Sequence, residues 1–529
     1  MKKILLFAVA MAMTANVLAQ FNPQTTPLTL EARDANTQVK VLNNNGGTFS
    51  YQINGTGALQ TIANAAEVTI NLPNAGDFVQ LWGNQATTYA NGQKSNITIP
   101  SGFAYVYGNV MSLLQNGTSS FENLTQLQSD FALRQLFYQA TLLDIHPTKD
   151  LVLPATTLKS NCYRAMFSGC TGLTHAPALP ATIMADSCYY NMFNGCTSMG
   201  VAPALPATTL AVSCYAQLFY GCTGLTQAPT LPAITLAAYC YDNMFRGCTN
   251  LTEAPALSAE TLAMYCYRSM FYGCTGLTQM PELPATTLAK ACYTYMFRGC
   301  TGLTDISAMQ LPALKADTTA YYFMFYQCSN LTHAPEILAT TMESESCRQM
   351  FQNCTSLINV PDMHNDTVGW CACYGMFKGC TALAAAPRIP ATKLTDACYR
   401  EMFSDCSALV ESPALNASKL ADGCYQQMFQ NCSSLKRVTC NATEFAGAST
   451  ENWLQNVAAT GTFVKAINFD GWTLDSASGI PVGWRVSEYT PTAIDQTMTD
   501  AKSTKILRNG QIYILRGEKF YTLQGAEVK

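Results

Sequence analysis

The residues with the strongest claim to chemistry are the 23 cysteines, all between Cys162 and Cys440. Most fall in pairs eight apart, at 162/170, 188/196, 214/222, 240/248, 266/274, 292/300, 398/406 and 424/432. Zinc sites place their ligands two to five residues apart within each half-site and usually add histidine. Here there are four histidines, His146, His175, His333 and His364, and Cys371-x-Cys373 is an isolated irregularity. A disulfide within a pair is also disfavoured if the segment is helical, because eight helical residues span about 12 Å while bridged Cα atoms lie within about 7 Å. Ala320 stands where a first cysteine is due although its partner Cys328 remains, and paired cysteines tend to be lost together. The expectation is therefore buried free thiols acting as small apolar wedges, with no metal and no cofactor. No His-Glu-x-x-His, Gly-x-Ser-x-Gly or phosphate-cradling glycine loop occurs, and no histidine adjoins a plausible nucleophile, so the chain reads as no enzyme.

Two other sets of side chains could touch a ligand. A tyrosine follows the first cysteine position at Tyr163, Tyr189, Tyr215, Tyr241, Tyr267, Tyr293, Tyr321, Tyr374, Tyr399 and Tyr425. It reads as half-buried packing with wet hydroxyls, the alternative being an aromatic stripe for sugars or proteins. The second set flanks a recurring Ala-Pro and changes from unit to unit: His175, Gln227, Glu253, Gln279, Glu282, His333, Glu336, Asn359, Asp362 and Arg388. Recognition on a repeat scaffold is normally written in such positions, so these are the candidate ligand-binding residues.

What positions them is a repeat. The pair Met-Phe recurs at 166/167, 192/193, 244/245, 270/271, 296/297, 324/325, 350/351, 376/377, 402/403 and 428/429, with Leu218-Phe219 filling the remaining slot. The step is 26 residues except for one of 28 between Met296 and Met324. A degenerate unit with Leu136-Phe137 precedes them, making about twelve. Within a unit Leu288, Cys292, Met296 and Cys300 recur at steps of four, which predicts a short helix started at Thr286 or Thr287 and ended by a left-handed Gly299. An extended run follows, commonly Leu-Thr-x-Ala-Pro-x-Leu-Pro. Its proline cannot donate to a ladder, so only the first three or four residues of each run are expected to join a parallel sheet. The predicted fold class is an α/β repeat solenoid over residues 116–445.

The flanks differ. Residues 1–19, with Lys2, Lys3 and an apolar run from Ile4, read as a signal peptide. Residues 20–115 lack cysteine and show alternating strands between Asn-Gly turns, which predicts a small β-sandwich. Its Trp82, Tyr89, Tyr105 and Tyr107 give an alternative function, sugar binding by this domain with the solenoid as a stalk. Residues 446–489 read as a C-terminal cap, and 490–529 as a polar linker and a β-meander. Charged residues make up 12% and the net charge is −4, which suggests neither nucleic acid nor an anionic membrane as partner. Past Ala19 no run is long and apolar enough to be a transmembrane segment.

The motif Phe-x-Gly-Cys-Thr-x-Leu-Thr, followed by an extended segment and proline, resembles the leucine-rich repeats of BspA-type bacterial surface proteins. The units here are longer than that family's usual repeat, and Ala-Pro replaces the Ile-x-Ile of its strand. The tail from Lys505 resembles C-terminal sorting modules of exported Bacteroidetes proteins. These resemblances imply a secreted or outer-membrane surface protein that binds a protein or glycan on a host or microbial surface, and the expected state is a monomer.

Overall fold

The computed structural model describes residues 21–84, 94–114, 120–475 and 478–489, and four strands between 503 and 528. The expected signal peptide, Tyr89 and residues 490–502 of the expected linker lie outside the described residues.

The N-terminal part is built from β1 (Leu28–Ala32), β2 (Thr37–Asn43), β3 (Thr48–Ile53), β4 (Thr56–Ile62), β5 (Ala66–Leu72), β6 (Phe78–Asn84), β7 (Asn96–Ser101) and β8 (Ala104–Asn109). Alternation decides them: β2, Thr-Gln-Val-Lys-Val-Leu-Asn, buries every second residue. Antiparallel pairing gives one sheet in the order β8-β1-β6-β3-β4 and a second in the order β5-β2-β7. β8 then pairs in parallel with β9 (Leu143–Ile145) and β10 (Leu151–Val152), so the first sheet runs on into the repeats.

The repeats are coils of a β-solenoid, and the predicted helix is absent. Among the described residues the helical elements are 3-10 turns at Val110–Leu114 and Phe121–Asn123. In place of a helix each coil has a wall of linked four-residue turns. Ala291, Tyr295 and Gly299 take positive φ of 56°, 59° and 70°. Between them the backbone bonds in two directions. The N–H groups of Ala291, Tyr293, Tyr295, Phe297 and Gly299 donate to carbonyls of Thr318, Ala320, Tyr322, Met324 and Tyr326 on the next coil, at 2.8–3.1 Å. Those of Cys292, Thr294, Met296, Arg298 and Cys300 donate back three residues within their own turn, at 3.1–3.4 Å. Every polar backbone group of the wall has a place, which is what burial requires.

This geometry explains the step of four better than a helix does. Four residues overshoot a helical turn of 3.6 by about 40°, so three steps would rotate side chains off one face by about 120°. With one left-handed residue in four, the chain direction resets and the order in-in-out-out repeats without drift. Cys292, Tyr293, Met296, Phe297 and Cys300 all point inward and are buried. Gly299 does sit in the left-handed region as expected, but as the last reversal of the wall and not as a helix end. The extended runs make less sheet than expected: most coils are joined there by single bridges, such as His175↔Val201↔Gln227↔Glu253, with two-residue pairings such as Gln310–Leu311 on Glu336–Ile337. The two extra residues of the one longer step lie between Asp305 and Gln310. Asp305 still pairs His333 across the longer interval, while Gln310 pairs Glu336 across the ordinary one.

The core is a set of side-chain columns. Phenylalanines stack from Phe137 to Phe429 with ring centroids 5.2–5.9 Å apart. Tyrosines stack from Tyr163 to Tyr321 at 5.8–6.0 Å. Two expectations about this second column are corrected. It is buried, not half wet, and the hydroxyls of Tyr163, Tyr189 and Tyr215 are enclosed with no hydrogen-bond partner. Tyr374 is not a member: Cys347 and Cys373 hold the column's place in those coils, while Tyr374 points outward and donates to a Glu401 carboxylate oxygen at 2.7 Å. An enclosed hydroxyl without a partner costs about 1–3 kcal/mol. Tyr189→Phe is therefore expected to stabilise the protein by about 1 kcal/mol, read as a higher denaturation midpoint at unchanged m-value.

All 23 cysteines are free and buried. Those in the second position are more than wedges, because each also hydrogen-bonds the previous coil. Cys300 Sγ donates to the carbonyl of Phe271 at 3.0 Å, an oxygen that already accepts the N–H of Cys274 at 3.0 Å. The same bond recurs from Cys196 to Cys432 at 3.0–3.2 Å.

Both ends of the array are closed. The first coil has no predecessor to supply donors, and Asn96 provides them: its Nδ2 lies 3.0–3.5 Å from the carbonyls of Gln135, Leu136 and Tyr138, and the Ile97 N–H donates to Leu136. At the other end Trp453 stacks on Tyr425 and Trp472, and its Nε1 donates to Gly479 O at 3.0 Å. At this end Glu411–Leu415, Arg437–Cys440, Thr462–Lys465 and Arg485–Glu488 pair in parallel. The tail forms an antiparallel meander of Ser503–Arg508, Gln511–Arg516, Lys519–Thr522 and Glu527–Val528.

Candidate functional site

Because the coils stack in register, equivalent outward positions become columns. The candidate residues that precede Ala-Pro form one column. It runs His175, Val201, Gln227 and Glu253 by direct bridges, then Asp305, His333 and Asn359 by further bridges. Gln279 occupies the same position in its coil and is exposed. Glu282, Glu336, Asp362 and Arg388 belong to a second column three residues on. Side-chain contacts within the columns are few. Gln310 Nε2 donates to Glu336 Oε2 at 2.6 Å, His364 Nε2 lies 3.7 Å from Glu336 Oε1, and His333 Nδ1 lies 3.6 Å from Asp305 Oδ2. Arg388 donates its backbone N–H to Asp362 Oδ1 at 2.9 Å. The structure thus spreads the candidates along a surface and does not gather them into a pocket.

His175 is the exception. It lies at the join with the N-terminal sheets and lines a cavity of about 640 Å³ with Ile145, Leu151, Leu153, Pro154 and Pro177. Next to it, Glu31 accepts hydrogen bonds from Tyr107 Oη at 2.9 Å and Lys149 Nζ at 2.5 Å, with His146 Nε2 3.8 Å away. Burial and the Lys149 charge hold the His146 imidazole below its usual pKa against the opposing pull of Glu31. Tyr105 and Tyr107 both pack edge-on against the His146 ring. Two of the four aromatics proposed for sugar stacking are thus engaged at this join.

Sequence reasoning missed a third surface, the outside of the turn wall. The residues following the phenylalanine column alternate Tyr220, Arg246, Tyr272, Arg298, Tyr326. The Arg246 guanidinium lies 5.5 Å and 4.2 Å from the rings on either side, and that of Arg298 lies 5.1 Å and 4.6 Å from its two. Beside them Arg268 forms a two-bonded pair with Asp242, at 2.8 Å for each bond. A shallow pocket of about 290 Å³ is lined by Arg246, Arg268, Arg298, Asn243, Tyr272 and Tyr295. The alternation was visible in the sequence, but a turn read as a helix gave no reason to place the equivalent residue of every unit on one line. Trp370, half exposed, is another outward aromatic the repeat pattern hid.

Among the described residues no group of three or more His, Cys, Asp or Glu side chains is placed to hold a metal ion. The thiols are poor nucleophiles as well: burial pushes Cys170, Cys222 and Cys274 up to about 12. No described helix is long and apolar enough to cross a membrane.

No curated protein and no solved structure matches the chain. Residues 163–304, 212–358 and 266–409 match the family model of the BspA type leucine rich repeat region, found in six copies. The stacked coils, the buried repeat motif and this match together show a solenoid similar to the BspA-type leucine-rich repeat region across residues 163–409.

Proposed function

We propose that the chain is an exported surface protein that acts by binding, without catalysis, and whose solenoid captures a protein ligand on a host or microbial surface. The observation that carries this reading is the separation of roles around each coil. Inward positions repeat almost unchanged and form a closed core, while the two bridge-side columns vary freely and stay exposed or half-exposed. A rigid frame with a row of variable side chains is a recognition surface. The BspA-type match supports surface display and protein binding. In this reading the protein works as a monomer, residues 1–19 direct export and the C-terminal meander serves delivery to the surface.

The test is binding of the full chain to immobilised extracellular-matrix proteins and to intact epithelial and bacterial cells. Replacing Glu253, Glu336, Asp362 and Arg388 together by alanine removes only exposed or half-exposed groups, so the melting temperature should hold while binding weakens at least tenfold. Unchanged binding by that variant would move recognition off these columns. Robust turnover of polysaccharides or peptides by the wild type would overturn the non-catalytic reading.

A further inference from the structure

We propose that the outer face of the turn wall, centred on Arg246 and Arg298, is a binding site for a linear uronic-acid polysaccharide. It rests on the reading that the solenoid acts by binding, and assigns a second face and a ligand class.

Positive charge at this face is unbalanced. Among the described residues neither Arg246 nor Arg298 has a carboxylate partner. Arg246 Nη1 donates to Asn243 Oδ1 at 3.2 Å, Arg298 has ring contacts, and the Arg298 Nε is enclosed without a hydrogen-bond partner. Asp242 is committed to Arg268. The pocket therefore holds two uncompensated cations on a chain whose net charge is −4. Charge complementarity calls for an anion here.

The two guanidinium groups are also preorganised. Each guanidinium is flanked by tyrosine rings on both neighbouring coils, which restrains its plane and leaves the Nη donors of Arg298, and the donors of Arg246 not given to Asn243, to meet a ligand. A restrained guanidinium edge matches a carboxylate through two parallel hydrogen bonds. Little side-chain entropy remains to be lost on binding.

The spacing of the arginines selects the polymer. Arg246 and Arg298 are two coils apart, roughly 10 Å at the usual strand spacing. A uronic-acid chain presents carboxylates at regular intervals on a stiff backbone, so it can meet successive arginines without ordering a flexible chain. A peptide gains less. Extended peptides usually dock by adding a strand to a free edge, and the backbone groups of this wall are already bonded to the next coil or within their own turn.

The experiment is binding of the full chain to polygalacturonate, with neutral dextran and poly-glutamate as comparison probes. Wild type should bind polygalacturonate, lose at least tenfold in affinity between low and physiological salt, and ignore dextran. Arg246→Gln with Arg298→Gln should weaken binding at least tenfold at an unchanged melting temperature. Arg246→Lys with Arg298→Lys, which keeps charge but not the flat fork, should recover less than half of the lost binding free energy and guards against a folding defect in the first variant. No binding of polygalacturonate, equal binding of dextran, poly-glutamate bound as tightly, or an unaffected Gln variant would each overturn the proposal. Binding to matrix proteins or cells that survives in the Gln variant leaves the bridge-side columns in place, so the two readings fail separately.

Discussion

Raising the pH through 9 is expected to unfold the solenoid. The free thiols are enclosed in apolar surroundings, and burial pushes twelve of them, Cys170, Cys188, Cys222, Cys240, Cys274, Cys292, Cys328, Cys347, Cys380, Cys398, Cys432 and Cys440, from an ordinary value of 9.0 up to about 12. Between those values the unfolded chain releases protons that the folded chain keeps. The unfolded state binds fewer protons, so stability falls as pH rises; below pH 9 both states are protonated and the effect vanishes. At pH 10 each such thiol costs about 1–2 kcal/mol, and twelve together cost on the order of 15 kcal/mol, as much as the roughly 5–15 kcal/mol that keeps a typical domain folded. Circular dichroism under reducing conditions should show a steep cooperative loss of structure between pH 9 and 10.5, coincident with thiolate absorbance. Replacing cysteines by alanine in several coils should make the transition shallower by about one proton per thiol removed. A chain still folded at pH 10.5 would show that the thiols are not sealed as described.

Phe271→Ala is expected to cost about 3–5 kcal/mol, the range for a large buried aromatic cut to a methyl group. Phe271 is fully buried and stacks between Phe245 at 5.7 Å and Phe297 at 5.5 Å. In an array where each coil touches only its neighbours, the damage also falls on the coupling between the two halves. Denaturant unfolding should therefore change from one transition to two, with a reduced slope in each. A single transition shifted by less than about 1 kcal/mol would mean that the column repacks around the gap. Leu59→Ala, at an exposed strand position of the N-terminal part, should leave the solenoid transition unchanged.

The step of four was legible, and so was its consequence that Cys292, Met296, Phe297 and Cys300 face the core; the full burial of Tyr293 beside them was not. Which backbone produces that step was not. A helix and a chain of turns with one left-handed residue in four both bury residues four apart, and over a single short wall they differ only in drift. Glycine at the third reversal was a visible sign, but the other reversals are filled by residues such as Ala291 and Tyr295, which carry no such sign. Tyr374 went to the wrong column although the register excludes it: the column's tyrosines stand three residues before their methionine, as Tyr399 does before Met402, while Tyr374 stands two before Met376 and Cys373 takes the third place.

By itself the sequence determined the repeat, its period and most of the inward residues, because so short a repeating unit leaves an apolar face that only stacking can bury. Tertiary structure decided the rest. The carbonyls that accept half of each wall's N–H groups belong to the next coil, a full repeat away along the chain, so the choice of turns over helix is made between coils and not within one. For the same reason Tyr220, Arg246, Tyr272, Arg298 and Tyr326 become a single surface only when the coils are stacked.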